Sequence, residues 1–177
     1  VDPVRYIANR SSGKQGHAIA AALAGLGAET SLITGPVALP DPAGVNVVHV
    51  ESAADMLVAC QAALPAEIVV CAAAVSDWRI ATAASEKLKK DRGGPPALEL
   101  TENPDILRTL SQAENRRPGL VVGFAAETEK VVEYAVEKRQ RKGCDWILAN
   151  DVSPETGTFG GASNVIHFVH EDGVEDW

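Results

Sequence analysis

Cysteine is scarce in this chain: Cys60, Cys71 and Cys144 are the only three in 177 residues, and no C-x-x-C pair occurs. That excludes a disulfide framework and a Cys-rich zinc site, and leads to the expectation of a reducing, cytoplasmic setting. Long apolar runs are missing too. The longest, Ile68–Val75, falls far short of the ~20 residues that a membrane-spanning helix needs. Positive charge is in deficit, with 16 Lys and Arg against 24 Asp and Glu and a net charge of −8. That is the wrong balance for gripping nucleic acid through a broad basic surface. G-x-S-x-G, H-E-x-x-H and a Cys/His pair at a helix start are all absent. The four histidines, His17, His49, His167 and His170, share no metal-type spacing, so no metal ligand is assigned from the sequence.

What remains is the composition of a globular domain, 46% hydrophobic and 23% charged, which excludes disorder as the main description. At ~150 residues per domain the length gives one domain over 1–177. A domain of this size buries about 70% of its unfolded surface without staples. Short apolar runs predict strands at Glu29–Thr34, Val45–Val50, Glu67–Ala74, Leu120–Ala125, Trp146–Ala149 and Val165–Val169. Most are continuous rather than alternating, as in strands covered on both faces. Helical patterns lie between them. Ser11 or Ser12 is placed to cap a helix through Leu26 that ends at Gly27, and Ser52 with Asp55 makes a reciprocal cap. Asn103-Pro104-Asp105 opens a third helix with Asn as its cap. Thr128 caps the last, which ends in Lys138, Arg139, Arg141, Lys142 and Gly143. The alternation predicts βαβ units on a mostly parallel sheet, an α/β fold in three layers. Loops are expected at Thr34–Gly44, Trp78–Leu98 and Val152–Ser163. Such a domain ordinarily opens on a strand, so a first strand is expected upstream of Val1 and a closing helix after Trp177.

Several segments place reactive groups where this fold binds ligands. Asn9-Arg10-Ser11-Ser12-Gly13-Lys14-Gln15-Gly16 gathers backbone donors and two cations at a helix start, the recipe for an anion site; an ordinary capped helix fits it equally. Ala8 stands where the first glycine of a Walker loop belongs, and G-x-G-x-x-G is absent. Ala72–Arg79 follows a central strand, whose carboxyl end borders the ligand crevice of an open α/β sheet. Its alanines admit a flat ring to the backbone, and Asp77 can accept from a sugar hydroxyl, an amine or metal-bound water. A tight turn with Asp77 as a local cap is the plainer alternative. Glu86–Arg92 is a basic island in an acidic chain, either a solvated face or a contact for a compact anion such as a nucleoside triphosphate. Phe124, in Val122–Thr128, either stacks on a base or fills the core. Lys138 and Lys142 share one helix face and either clamp phosphates or complement the helix C-terminus.

Taken in order, DPVRYIANRSSGKQG, CAAAVSDW, EKLKK, ENPDIL, VGFAAET, EKRQRKG and ILAND resemble the phosphopantothenoylcysteine synthetase domain of coenzyme A biosynthesis. The resemblance runs from Asp2 to about Phe168. It implies a Rossmann-like, homodimeric ligase joining phosphopantothenate to cysteine, with CTP as co-substrate and Mg²⁺ as cofactor. An acyl-cytidylate intermediate, pyrophosphate and CMP belong to that reaction. It also implies that FMN is confined to a decarboxylase domain that usually shares the polypeptide in bacteria and is absent from this chain. Position by position, it makes Asn9 the residue that turns over the acyl-cytidylate and Lys87 a catalytic and nucleotide contact. Ala73, Asp77, Pro104, Asp105, Ile106, Leu107, Phe124, Lys138 and Lys142 become further CTP contacts. Family members carry a strand and a Gly-rich turn before D-P-V-R, which this chain lacks.

Two other readings stay open. A nicotinamide-dependent oxidoreductase shares the fold class but needs a Gly-rich fingerprint and an acid ~20 residues further on, and neither is present. A non-catalytic module would bind CTP without releasing pyrophosphate.

Overall fold

The computed structural model describes residues 1–89, 97–153 and 165–177. The basic island from Lys90 onward and most of the 152–163 loop lie outside the described residues. The chain runs α1 (Lys14–Gly25), β1 (Ser31–Thr34), β2 (Asn46–His49), α2 (Ala53–Ala62), β3 (Ile68–Cys71), β4 (Trp78–Ile80), β5 (Leu100–Glu102) and α3 (Ile106–Ser111). A 3-10 turn at Glu114–Arg116 then leads to β6 (Leu120–Glu127), α4 (Val131–Lys142), β7 (Trp146–Asp151), β8 (His167–His170) and β9 (Gly173–Asp176). Strands β3, β6 and β7 are parallel neighbours, and β8 and β9 extend the sheet antiparallel in the order β3-β6-β7-β8-β9. A separate parallel pair joins β1 to β2, and an antiparallel pair joins β4 to β5. The α/β class and the mostly parallel sheet are as the sequence predicts, while β4 falls inside the segment expected to be the Trp78–Leu98 loop.

Helix starts depart from expectation in three places. Before α1 it is Gly13 that turns the chain, at φ 73°, and Ser11 and Ser12 only accept from Gly13 N–H and Lys14 N–H at 3.4 Å. A Cβ at position 13 would stand 2.9 Å from Val37 Cγ1, so both the dihedral and the space require glycine there. Asp105, not Asn103, caps α3, accepting from Arg108 N–H at 3.1 Å. Lys130, at φ 47° and without a side-chain cap, precedes α4 in place of Thr128. The reciprocal cap of α2 forms as predicted: Ser52 Oγ accepts from Asp55 N–H at 3.1 Å, and the Asp55 carboxylate accepts from Ser52 N–H at 3.2 Å.

Packing seats α3 and α4 on the main sheet. Leu107 of α3 and Ala135 of α4 bury against Val121 and Ala125 of β6, Ile147 and Ala149 of β7 and Val169 of β8. At Gly123 of β6 a Cβ would come within 2.6 Å of Leu107 Cδ2 and 2.8 Å of Ile147 Cδ1, so the missing side chain lets α3 sit directly on the strand. Met56, Ile106 and Leu110 form a second cluster with Ile33 of β1 and Val69 and Cys71 of β3. Helices α2 and α3 therefore hold the β1–β2 pair beside the main sheet, with no ladder between β1 and β3 among the described residues. At the amino ends of β6 and β7, Arg117 donates to both oxygens of Asp145 (3.0 and 2.9 Å) and to the carbonyls of Ser111, Pro118 and Gly143. Asp145 also accepts from Val121 N–H at 2.7 Å, and its carbonyl accepts from Arg139 Nε at 2.8 Å.

Candidate active site

Strand β3 ends at Cys71, and the small residues Ala72–Ala74 carry the chain out of the sheet toward Asp77. Three hydrogen bonds shape this turn. Asn9 Nδ2 donates to Val75 O at 3.1 Å, bringing the segment before α1 onto the loop. Asn103 donates through its backbone N–H to Asp77 O at 2.8 Å and through Nδ2 to Ser76 O at 2.9 Å. The β4–β5 ladder, with Trp78 opposite Glu102, makes those contacts possible by closing a long excursion at its base. It thereby sets the start of α3 beside Asp77. Ala73 and Asp77 are exposed there.

Helix α4 contributes both of its predicted lysines. Lys142 Nζ stands 2.5 Å from Asp105 Oδ2. Burial acts to raise the Asp105 pKa, but the hydrogen bonds from Lys142 and Arg108 N–H, with their charges, outweigh it and hold the carboxyl below its ordinary value. Lys138 is lowered, first by burial and then by Lys142 and Arg141, while Glu127 at the end of β6 and Asp77 oppose the shift. The charges of Asp77 and Glu127 thus act on Lys138, and Lys142 pairs with Asp105; Asp77 follows the carboxyl end of β3, and Glu127 is the last residue of β6. Ligands bind at that edge in open α/β sheets.

Other predicted residues are placed differently. The side chains of Ile106 and Leu107 are buried in the two core clusters, which leaves only their backbone for a ligand; Pro104 is partly exposed beside them. Strand alternation puts Phe124 on the face opposite Gly123 and Ala125. It is half-buried there and lies outside both core clusters. Lys87 is exposed, on a loop tied to residues 1–5 rather than to α4. A pocket of about 300 Å³ between the end of α2 and α3 includes none of the predicted residues.

Two groups escaped sequence reasoning. Asn103 reads locally as a helix cap, and nothing in the sequence signals its bonds to Ser76 and Asp77. Glu127 lies in a segment singled out for Phe124, and only the tertiary fold sets its charge near Lys138. Burial pushes the Cys71 thiol up to about 12, with Cys60 and Cys144 also raised, so these sulfurs are not thiolate nucleophiles at neutral pH. No three His, Cys, Asp or Glu side chains converge into a metal cage among the described residues, and no described helix is long and apolar enough to cross a membrane.

Residues 1–177 match the family model of the DNA/pantothenate metabolism flavoprotein C-terminal domain. Over 176 residues the chain is 47% identical to the coenzyme A biosynthesis bifunctional protein CoaBC of Escherichia coli, covering 98% of this chain and 43% of that protein. It is 45% identical over 185 residues to the CoaBC of Mycobacterium bovis, covering 99% and 44%. It superposes on a crystal structure of the C-terminal domain of CoaBC with a TM-score of 0.80 at 38% identity, over 100% of this chain and 79% of that one. The chain thus spans less than half the length of the curated relatives it matches. A correspondence that runs from end to end, in sequence and in fold alike, makes the chain a member of the DNA/pantothenate metabolism flavoprotein C-terminal domain family.

Proposed function

We propose that this single domain is a CTP-dependent ligase that joins 4′-phosphopantothenate to cysteine. The observation that carries the reading is the Lys142–Asp105 ion pair at the start of α3, with the charges of Asp77 and Glu127 acting on Lys138, on motifs that resemble the synthetase domain. A carboxylate is a poor acylating agent. Attack of its oxygen on the α-phosphorus of CTP forms the acyl-cytidylate as the bond to pyrophosphate breaks. The cysteine amine then forms the amide bond at the acyl carbon, loses a proton, and CMP leaves. Rate enhancement for such chemistry comes mainly from positioning and charge neutralisation.

Each residue has a role that its surroundings support. Lys138 and Lys142 neutralise phosphate charge; Lys142 keeps donors to spare while bonded to Asp105, because an ammonium carries three. Lys87 contributes a further charge-assisted bond to the nucleotide. Asn9 spends one amide hydrogen on Val75 O and has a second to donate to the oxyanion that develops as cysteine attacks. The Mg²⁺ that the reaction uses supplies charge neutralisation on the triphosphate. Mg²⁺ is commonly held by phosphates and one or two carboxylates rather than by an all-protein cage, and Asp77 and Glu127, whose charges act on Lys138, would be the carboxylates to hold it with the triphosphate. We further propose that the domain works as a homodimer in the cytoplasm, in a polypeptide that also carries the FMN-dependent decarboxylase.

The test is pyrophosphate release by the intact polypeptide with CTP and Mg²⁺. Release is expected to require phosphopantothenate but not cysteine. Release that appears only when cysteine is added refutes the two-step order, and CTP binding without any release leaves a non-catalytic module.

A further inference from the structure

We infer that Asp2, together with Arg5, latches the loop that carries Lys87 and is a positioning residue for that lysine; the inference rests on the reading of Lys87 proposed above. Asp2 lies in an exposed segment, yet its side chain is fully covered, whereas half of the Arg5 side chain remains in solvent. Five N–H groups converge on the one carboxylate. Oδ1 accepts from Val4 N–H at 2.9 Å and Arg5 N–H at 3.0 Å. Oδ2 accepts from Arg5 Nε at 2.9 Å, from Arg5 Nη2, and from Leu88 N–H at 3.1 Å. Arg5 Nη2 also donates to Leu88 O at 2.9 Å.

Both peptide groups of Leu88, the residue after Lys87, are therefore held by one Asp–Arg pair more than 80 residues away in sequence. On the other side of Lys87, Ala84 N–H donates to Val1 O at 3.0 Å. The lysine is thus bracketed by two anchors to the same short segment, while its own side chain stays exposed. An ordinary exposed ion pair contributes little to stability. This one differs in having a desolvated carboxylate, a forked guanidinium and a long-range pair of backbone bonds. The Arg5 guanidinium beside Asp2 holds its carboxyl well below the usual carboxylate range, so the latch keeps its charge at any working pH. A lysine on an untethered loop must order its backbone when nucleotide binds, at a cost in conformational entropy. The latch meets that cost on folding.

A double-mutant cycle in the intact polypeptide tests this, with initial rates of pyrophosphate release at varied CTP and the thermal midpoint of each variant. Asp2→Ala is expected to lower kcat/KM for CTP by about three- to thirtyfold, inside the range that residues coupled through one network span. In the Lys87→Gln background the same change is expected to have almost no further effect. Asp2→Asn, which keeps the shape and an acceptor for Leu88 N–H but gives up the charge that holds Arg5, should show a smaller loss of the same kind. It stands in if Asp2→Ala does not fold. Fully multiplicative losses in the double variant, or an unchanged kcat/KM in Asp2→Ala, overturn the latch. If Lys87→Gln itself leaves kcat/KM unchanged, the reading of Lys87 fails and the latch has nothing to position, an outcome distinct from the other two.

Discussion

Gly123→Ala adds one methyl group at the point where α3 rests on β6. The new carbon would lie 2.6 Å from Leu107 Cδ2 and 2.8 Å from Ile147 Cδ1, well inside the usual carbon–carbon separation of about 3.5–4.0 Å. Leu107 is 9% exposed and Ile147 fully buried, and both belong to the central cluster. Neither tip can swing into solvent, so α3 must lift or the side chains must leave their rotamers. Overpacking of that kind costs about 1–3 kcal/mol, offset by about 0.4–1 kcal/mol because alanine restricts the unfolded chain. The net destabilisation should be about 1–2 kcal/mol, read as a lower urea midpoint with an unchanged slope. Leu107→Ala alone should cost about 2–5 kcal/mol through the cavity it leaves. In the double variant the new methyl occupies part of that cavity, so the loss should be smaller than the sum of the single losses. A Gly123→Ala variant as stable as the parent, or strictly additive losses, would refute the account of how α3 is seated.

Lys138 is held below its ordinary pKa chiefly by burial, so it loses its charge at a lower pH than a solvated lysine. CTP affinity, titrated calorimetrically from neutral pH to pH ~10, should therefore weaken before the usual lysine range, near ~10.4. Lys138→Arg, which cannot deprotonate, should remove that early limb, and an identical limb in the Arg variant would assign it to another group. On the stability side a lysine depressed in the folded state opposes folding while both states are charged. This penalty is relieved as pH rises through the folded pKa. Asn9→Asp should leave activation intact but slow the cysteine step, because a carboxylate cannot donate to an oxyanion and repels it; losing such a donor costs ~3–4 kcal/mol. Mass spectrometry of quenched reactions should show acyl-cytidylate accumulating, and equal slowing of both half-reactions would instead make Asn9 a ground-state binding residue.

Apolar runs in the sequence located most strands, whereas three of the four helix caps and the tertiary contacts were not legible. Continuous apolar runs marked β1, β2, β3, β6, β7 and β8, yet only β6, β7 and β8 are well covered, and β2 has no buried residue. The Ser52–Asp55 cap was legible because both partners lie within one helical turn. Asn103 was misread as a cap because its bonds go to Ser76 and Asp77, 27 and 26 residues away in sequence. The β4–β5 ladder that creates those bonds consists of two three-residue strands, too short for any period to register. Lys138 and Lys142 were visible as a spacing, but their carboxylate neighbours were not, since Asp77, Asp105 and Glu127 come from three different elements. Asp2 gave no sign of its partner at Leu88.

Arg117 and Asp145 sit at the amino ends of β6 and β7, where they fasten the tail of α3, the first residues of β6, the tail of α4 and the head of β7 to one another. Both crossovers are thereby hung from a single peg, which grips α4 at Gly143, one residue along the chain from Lys142. Removing either partner would therefore free the ends of two helices and the starts of two strands at once, rather than one element.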